Sequence, residues 1–171
     1  MPDALTRPYH ARYHVGMKKI SVERAPALIR AARTAAGLSQ AELARRADLR
    51  QSHIAAMESG SRAVSAEMLT RVLRAARYRP SIPLEEHAEE IIRLGASEGI
   101  HNIRVFGSTV RGEDRFTSDI DLLVDVDEGR SYFDIATFIN EVEDLTGFPV
   151  DVVVDREARP GFLEDTELVP L

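Results

Sequence analysis

Two folding units are predicted for this chain of 171 residues: an all-α bundle of four short helices, then a small α/β (α+β) unit on a mixed sheet of three to four strands. Three observations predict them. Apolar residues recur at helical spacing between Ala25 and Arg77, with stops at Gly37 and Gly60. Period-two alternation is confined to the second half and is clearest from Ser118 to Asp127. The charge changes sign between the halves: residues 1–80 hold 15 Lys and Arg against 6 Asp and Glu, net +9, and residues 81–171 hold 7 against 22, net -15. The whole-chain net of -6 conceals this split. A basic half suits a polyanion, whereas an acidic half either repels nucleic acid or neutralises its carboxylates with metal ions.

Composition removes several function classes. With 44% hydrophobic and 29% charged residues the chain is ordinary globular material, long enough to bury a core. The absence of cysteine excludes disulfides, thiolate nucleophiles and every cysteine-containing metal pattern. The longest stretch without Asp, Glu, Lys or Arg is the eight residues from Thr34 to Ala41. A bilayer span needs about eighteen. The N-terminus lacks the apolar core of a signal peptide, so the expectation is a cytoplasmic protein with no membrane partner.

Taken in order, residues 1–22 show no period and are expected to form a flexible arm. The bundle is expected over 23–79. Its first helix carries Leu28, Ile29, Ala32 and Ala36 on one face; Ser39 caps the second, with Glu42 three residues on completing a capping box. Asp48-Leu49-Arg50 is a tight connection to a third helix, Gln51–Glu58, with Ile54 and Met57 inward. A fourth runs from Ser65 to Arg77. Pro80 and Pro83 mark residues 80–83 as a linker, and the second unit is expected over 84–171. There, Leu84–Ala96 reads as a helix, Gly99–Phe106 as a strand, and a loop with a short helix leads to the strand Ser118–Asp127. Its Asp119, Asp121, Asp125 and Asp127 share one face, and Ile120, Leu122, Val124 and Val126 the other. Asp125 and Asp127 are expected to be solvated edge charges. Tyr132–Leu145 reads as a helix and Phe148–Val154 as a third strand; the tail 159–171 either completes the core or docks a partner.

Four short helices with a tight turn between the second and third meet the geometry of a helix-turn-helix, in which one helix braces DNA backbone and the next enters the major groove. Over Ala27 to Arg77 the sequence resembles the Cro and lambda-repressor type, the XRE family, through Leu28 to Ala47 and Gln51 to Gly60. The resemblance implies that Gln40 clamps a phosphate and that Gln51 and Ser52, with His53 and Ala56, face the groove. Arg50 stands where such proteins usually place a small capping residue; it loses a cap and offers a phosphate contact. Such modules usually bind palindromic operator DNA as dimers, which implies a homodimer or a higher assembly with a partner.

The second constellation is Gly107-Ser108-x-x-Arg111-Gly112, five residues, then Ser118-Asp119-x-Asp121. Gly107 after a strand allows a sharp turn, and Ser108 opens a helix whose amides and hydroxyl suit a phosphate. Carboxylates at i and i+2 of a strand point the same way, so Asp119 and Asp121 can bridge one or two Mg2+ ions, with Asp151 on a neighbouring strand as third ligand. Such a site beside a phosphate-cradling turn is what in-line nucleotidyl transfer requires. From Glu85 to Asp155 the sequence resembles the minimal nucleotidyltransferases of the polymerase-β superfamily. That resemblance implies Gly107 and Ser108 on the triphosphate of ATP or another NTP, and Asp119, Asp121 and Asp151 on metal, with Asp151 also a possible base. Arg111 orients the turn or the phosphates, or pairs with an aspartate such as Asp119.

Together the halves resemble antitoxins that transfer AMP to a HEPN-type RNase toxin and repress the shared promoter. The alternative is a regulator whose second domain only binds a nucleotide or a protein partner.

Overall fold

The computed structural model describes residues 12–14, 22–155 and 161–171. The bundle comprises α1 (Ala25–Ala35), α2 (Gln40–Arg46), α3 (Gln51–Glu58) and α4 (Ala66–Ala75). Local chemistry sets their ends. Pro26 lies in the first turn of α1, where no amide partner is lost. Ser39 and Glu42 form the expected capping box on α2, and Ser65 accepts from the Met68 amide to cap α4. Arg50 precedes α3 without a side-chain cap. Leu28, Ile29, Leu43, Ile54, Met57, Leu69 and Val72 fill the bundle interior.

The second unit holds α5 (Ser81–Glu86), α6 (Ala88–Ser97), β2 (Ile100–Phe106), β3 (Ile120–Val126), α7 (Tyr132–Thr146), β4 (Val150–Val154) and β5 (Val169–Pro170), while β1 (Arg12–His14) comes from the N-terminal segment. The strands form one mixed sheet in the order β1-β4-β3-β2-β5. β3 and β4 are parallel and joined through α7; the other pairs are antiparallel. The three strands read from the sequence are its centre, and β1 and β5 are short edges.

Several expectations change. The arm expected over 1–22 contributes β1, whose Tyr13 pairs with Val152 and packs against the core; the rest of 1–21 lies outside the described residues. The linker expected at 80–83 lies at the start of α5, with Pro83 buried. Proline is tolerated there because the first-turn amides have no intrahelical acceptor to lose. The helix expected over Leu84–Ala96 is two helices, broken at His87 (φ -110°, ψ 15°). The short helix expected after Gly107 is a run of turns, closed by Arg111 N–H to Gly107 C=O at 3.3 Å and Glu113 N–H to Ser108 C=O at 2.9 Å. Gly112 at φ +67° ends it before a helix can propagate.

The sheet has two different faces. One, carrying Val105, Ile120, Leu122, Val124, Val150, Val152 and Val154, packs on α6 and α7 through Ile91, Phe138, Ile139 and Val142. The other holds Phe106, Leu123 and Val153, which Leu163 and Leu168 of the tail cover. The tail therefore completes the core: β5 pairs with β2, and the Leu171 amide bonds the Ile103 carbonyl at 3.0 Å. Further along this face, Arg104 (9% exposed) donates to Asp125 at 2.6 Å and to Asp155 at 2.7 Å. Asp125, which also accepts from Asn102 at 2.9 Å, is thus a clamp across strands rather than a solvated edge charge. Burying an arginine on a sheet requires such partners.

The halves meet in one continuous apolar cluster. Tyr78 stacks on Phe148 with ring centroids 5.4 Å apart, and Gly147, the left-handed cap of α7 at φ +79°, lies against Leu28, whose side chain leaves little room for a Cβ.

Candidate functional site

The end of the bundle where α2 and α3 begin is organised by a carboxylate that sequence reasoning passed over. Glu58, only 4% exposed, stands on the inward face of α3 beside Ile54 and Met57. It accepts from Arg33 Nε at 2.6 Å and Nη2 at 3.3 Å, and from Gln40 Nε2 at 2.9 Å. Gln40 Oε1 in turn accepts from Gln51 Nε2 at 2.8 Å. A chain of hydrogen bonds thus runs from α1 through Glu58 to the first residues of α2 and α3. Burial alone would push the Glu58 carboxyl up, but the Arg33 and Gln40 hydrogen bonds and the Arg33 charge outweigh it and hold the group below its ordinary value. The signal was available: an acidic residue at i+4 from Ile54 and i+1 from Met57 occupies an apolar face and needs a cation.

Of the residues expected to meet DNA, Arg50, Gln51 and Ser52 are exposed, and Gln40, His53 and Ala56 are half-buried. All six lie at the start of α2 or on and just before α3, so the fold brings them to one region. Gln40 enters it already oriented by Glu58 and Gln51.

The other site is built where β2 ends and β3 and β4 begin. Register pairs Phe106 with Asp121 and Asp121 with Asp151, so two aspartates stand side by side on adjacent parallel strands. They lie on the face that carries Leu123 and Val153, at its opposite end from Arg104. Gly107 follows β2 at φ +78°, and a Cβ there would overlap the Asp121 carboxylate. The turn therefore needs glycine twice, for its backbone angle and for the approach of Asp121. Asp151 is 7% exposed, and both Asp121 and Asp151 have interaction partners.

Ser108 is half-buried in the turn after Gly107, whereas Asp119, one residue ahead of β3, is exposed. Arg111 is exposed and pairs with Glu113, its Nε 2.9 Å from Oε2, rather than with Asp119. Sheet register and the loop together thus place Gly107, Ser108, Asp121 and Asp151 at one end of the sheet, with Asp119 one residue ahead of β3. Among the described residues no three or more His, Asp or Glu side chains converge closely enough to hold a metal ion. The donor chemistry nonetheless fits a hard divalent cation, because Asp121 and Asp151 offer carboxylate oxygens held side by side by sheet register.

Sequence reasoning also missed Asp114, a buried carboxylate five residues before Asp119. Its partners lie more than thirty positions upstream (Ser81 is 33 residues away), and no local pattern announces them. No helix among the described residues is long and apolar enough to cross a membrane.

Comparison with known proteins agrees with both halves. The family model described as Helix-turn-helix matches residues 29–82, and that described as Nucleotidyltransferase domain matches residues 84–168. A protein of Methanocaldococcus jannaschii, provisionally named a protein adenylyltransferase, is 35% identical over 77 residues, which cover 45% of this chain and 83% of that protein. The protein adenylyltransferase MntA of Thermococcus cleftensis is 40% identical over 63 residues, 37% of this chain and 64% of its own length. A solved structure provisionally described as a minimal nucleotidyltransferase covers 55% of this chain and 98% of its own, at 38% identity and a TM-score of 0.49. The chain belongs to the nucleotidyltransferase-domain family and carries an XRE-type helix-turn-helix ahead of that domain.

Proposed function

We propose that this protein is the DNA-binding antitoxin of a toxin–antitoxin pair, which transfers AMP from ATP to its partner toxin, a HEPN-type RNase, and represses their shared operator. The observation that carries the enzymatic part is the juxtaposition of the Gly107 turn with the register pair Asp121 and Asp151. The names of the relatives as protein adenylyltransferases support a protein hydroxyl as acceptor.

In the transfer, an acceptor hydroxyl oxygen bonds to the α-phosphorus, the bond to the bridging oxygen breaks, and pyrophosphate leaves with that electron pair. The backbone at Gly107 and the Ser108 hydroxyl hold the triphosphate, and Arg111 orients the turn. Asp151 takes the proton of the acceptor hydroxyl. Asp119, Asp121 and Asp151 would hold Mg2+, which when bound supplies charge neutralisation for the triphosphate and the leaving pyrophosphate. On the other half, Gln40 and Arg50 grip phosphates while Gln51, Ser52, His53 and Ala56 face the groove, in a homodimer on DNA or a larger assembly with toxin.

The test is to incubate the purified chain with the product of the neighbouring reading frame, ATP and MgCl2. An adenylyl mass increment on that product, lost in the Asp119→Ala/Asp121→Ala variant together with protection of cells, is the expected result. No increment, with full protection by the double variant, would overturn the reading. A second reading, a regulator whose nucleotidyltransferase domain only binds nucleotide or a partner, is favoured by Asp119 standing exposed ahead of β3 and by no three carboxylates clustering among the described residues. It predicts ATP binding with no label transfer to any acceptor.

A further inference from the structure

The loop from Gly107 to Asp119 is held at the junction of the two units, by residues of α4 and of its exit into α5. Asp114, whose side chain has no exposed area, accepts a hydrogen bond from the Ser81 amide at 2.8 Å and lies 3.7 Å from the Arg79 guanidinium. Two residues on, Phe116 lies 5.2 Å from the Arg74 guanidinium and meets Phe148 edge-on at 5.9 Å. Phe148, stacked on Tyr78, stands three residues before Asp151. The loop that carries Gly107, Ser108 and Asp119, and the segment that leads into Asp151, are therefore tied to α4 or to its exit toward α5.

The tie continues toward DNA. Arg71 of α4 donates to the Asp48 carbonyl at 3.1 Å and to its carboxylate at 3.2 Å, in the turn between α2 and α3. Leu69 and Val72 of α4 are fully buried within the bundle. Among the described residues, Asp114 Oδ1 accepts no hydrogen bond and faces only the Arg79 charge, so this buried carboxylate depends on two partners; any displacement of α4 relative to α5 acts on Asp114, and any reordering of the loop acts back on α4.

We propose that operator binding and nucleotide binding are thermodynamically linked through this junction. Asp114 is the positioning residue: it holds the loop in the arrangement that presents Gly107 and Ser108 to the triphosphate, and Arg74, Tyr78 and Arg79 tie that arrangement to α4. The linkage is reciprocal, so whatever factor ATP imposes on DNA affinity, DNA imposes on ATP affinity. This rests on the nucleotidyl reading above.

The full chain selects its own duplex from a random-sequence DNA pool, and affinity for that duplex is measured with and without saturating ATP and MgCl2; calorimetry follows ATP binding in parallel. The expected result is a change in DNA affinity of about fivefold or more. In the Arg74→Ala/Arg79→Ala variant both ligands still bind, and the change falls below about twofold, outside the coupled range. Asp114→Asn weakens ATP binding in the absence of DNA; should that variant not fold, the arginine variant decides the matter. ATP binding with unchanged DNA affinity, or a full change retained in the arginine variant, overturns the linkage and leaves the nucleotidyl reading standing. A wild-type chain that binds no ATP overturns both, and one that selects no duplex overturns the DNA half.

Discussion

Replacing Glu58 with glutamine changes one atom in a buried network, and its cost can be worked from the geometry. The carboxylate receives three donors, two from Arg33 at 2.6 and 3.3 Å and one from Gln40 at 2.9 Å. A carboxamide supplies one acceptor oxygen and turns an NH2 group toward one of those donors. Breaking a fully buried ion pair costs about 3–5 kcal/mol. The Arg33 side chain is 21% exposed and regains some hydration, so the expected loss is lower, about 2–3 kcal/mol. For a chain of this length that corresponds to a drop of roughly 4–12 °C in the thermal midpoint, read by circular dichroism. Gln40 also loses its anchor, and at ~1 kcal/mol for one hydrogen bond the affinity for the selected duplex falls about fivefold. The double variant Arg33→Met/Glu58→Gln recovers part of the stability, because no unpaired guanidinium is left inside. A thermal midpoint within about 1 °C of wild type, where surface substitutions fall, would refute the assignment of Glu58 as the organising carboxylate.

Other expectations follow from the same geometry. Glu58, Glu42 and Asp134 all have carboxyls held below their ordinary values in the folded chain, Glu58 by the balance already described and the other two chiefly by capping hydrogen bonds from Ser39 and Ser131. Their stabilisation is complete above the unfolded carboxylate range near ~4 and is lost as pH falls through the depressed folded values, so the melting temperature drops between neutral pH and about pH 3. That drop is smaller in Glu58→Gln; an unchanged slope would count against the role of Glu58. Gly107→Ala meets both a left-handed backbone, costing ~1–2 kcal/mol, and the Asp121 carboxylate, so ATP binding by calorimetry weakens at least tenfold; unaltered binding would exclude Gly107 from the site. Arg104→Met removes the cation that Asp125 and Asp155 share and lowers unfolding free energy in urea by about 2–4 kcal/mol, whereas a change below ~0.5 would show that the clamp is idle. Leu163→Ala, in the tail covering Leu123, costs about 2–5 kcal/mol by the same measurement, and no cost would mean that the tail is dispensable to the core.

The elements that could be read in advance are those whose causes lie within a few residues. The capping box at Ser39 and Glu42 needs only a span of four positions, and α3 was bounded correctly because Ile54 and Met57 recur at helical spacing after a tight turn. Alternation predicts Asp119 and Asp121 on one face, but only Asp121 lies within β3 and Asp119 stands one residue ahead of it; the Gly107-Ser108 turn could be read because a turn must follow β2. Elements misread were those in which local rules conflict with packing. Two prolines announced a linker at 80–83, but the start of a helix tolerates them, and Pro83 is buried there beside Leu84. Arg12–His14 carries too few residues to show a period, and it becomes a strand only because β4 presents a free edge.

Sequence alone determined that this chain joins a basic helical bundle to an acidic domain carrying a Gly-Ser turn and three spaced aspartates, since periodicity, capping and motif spacing depend on near neighbours. Only the tertiary structure decided which partner each buried charge meets. Glu58 with Arg33, Arg104 with Asp155, and Asp114 with Ser81 are separated by 25, 51 and 33 positions. Pairings at such distances are set by topology, which brings the ends of strands and helices together, and by the requirement that each charge buried on the way finds a partner.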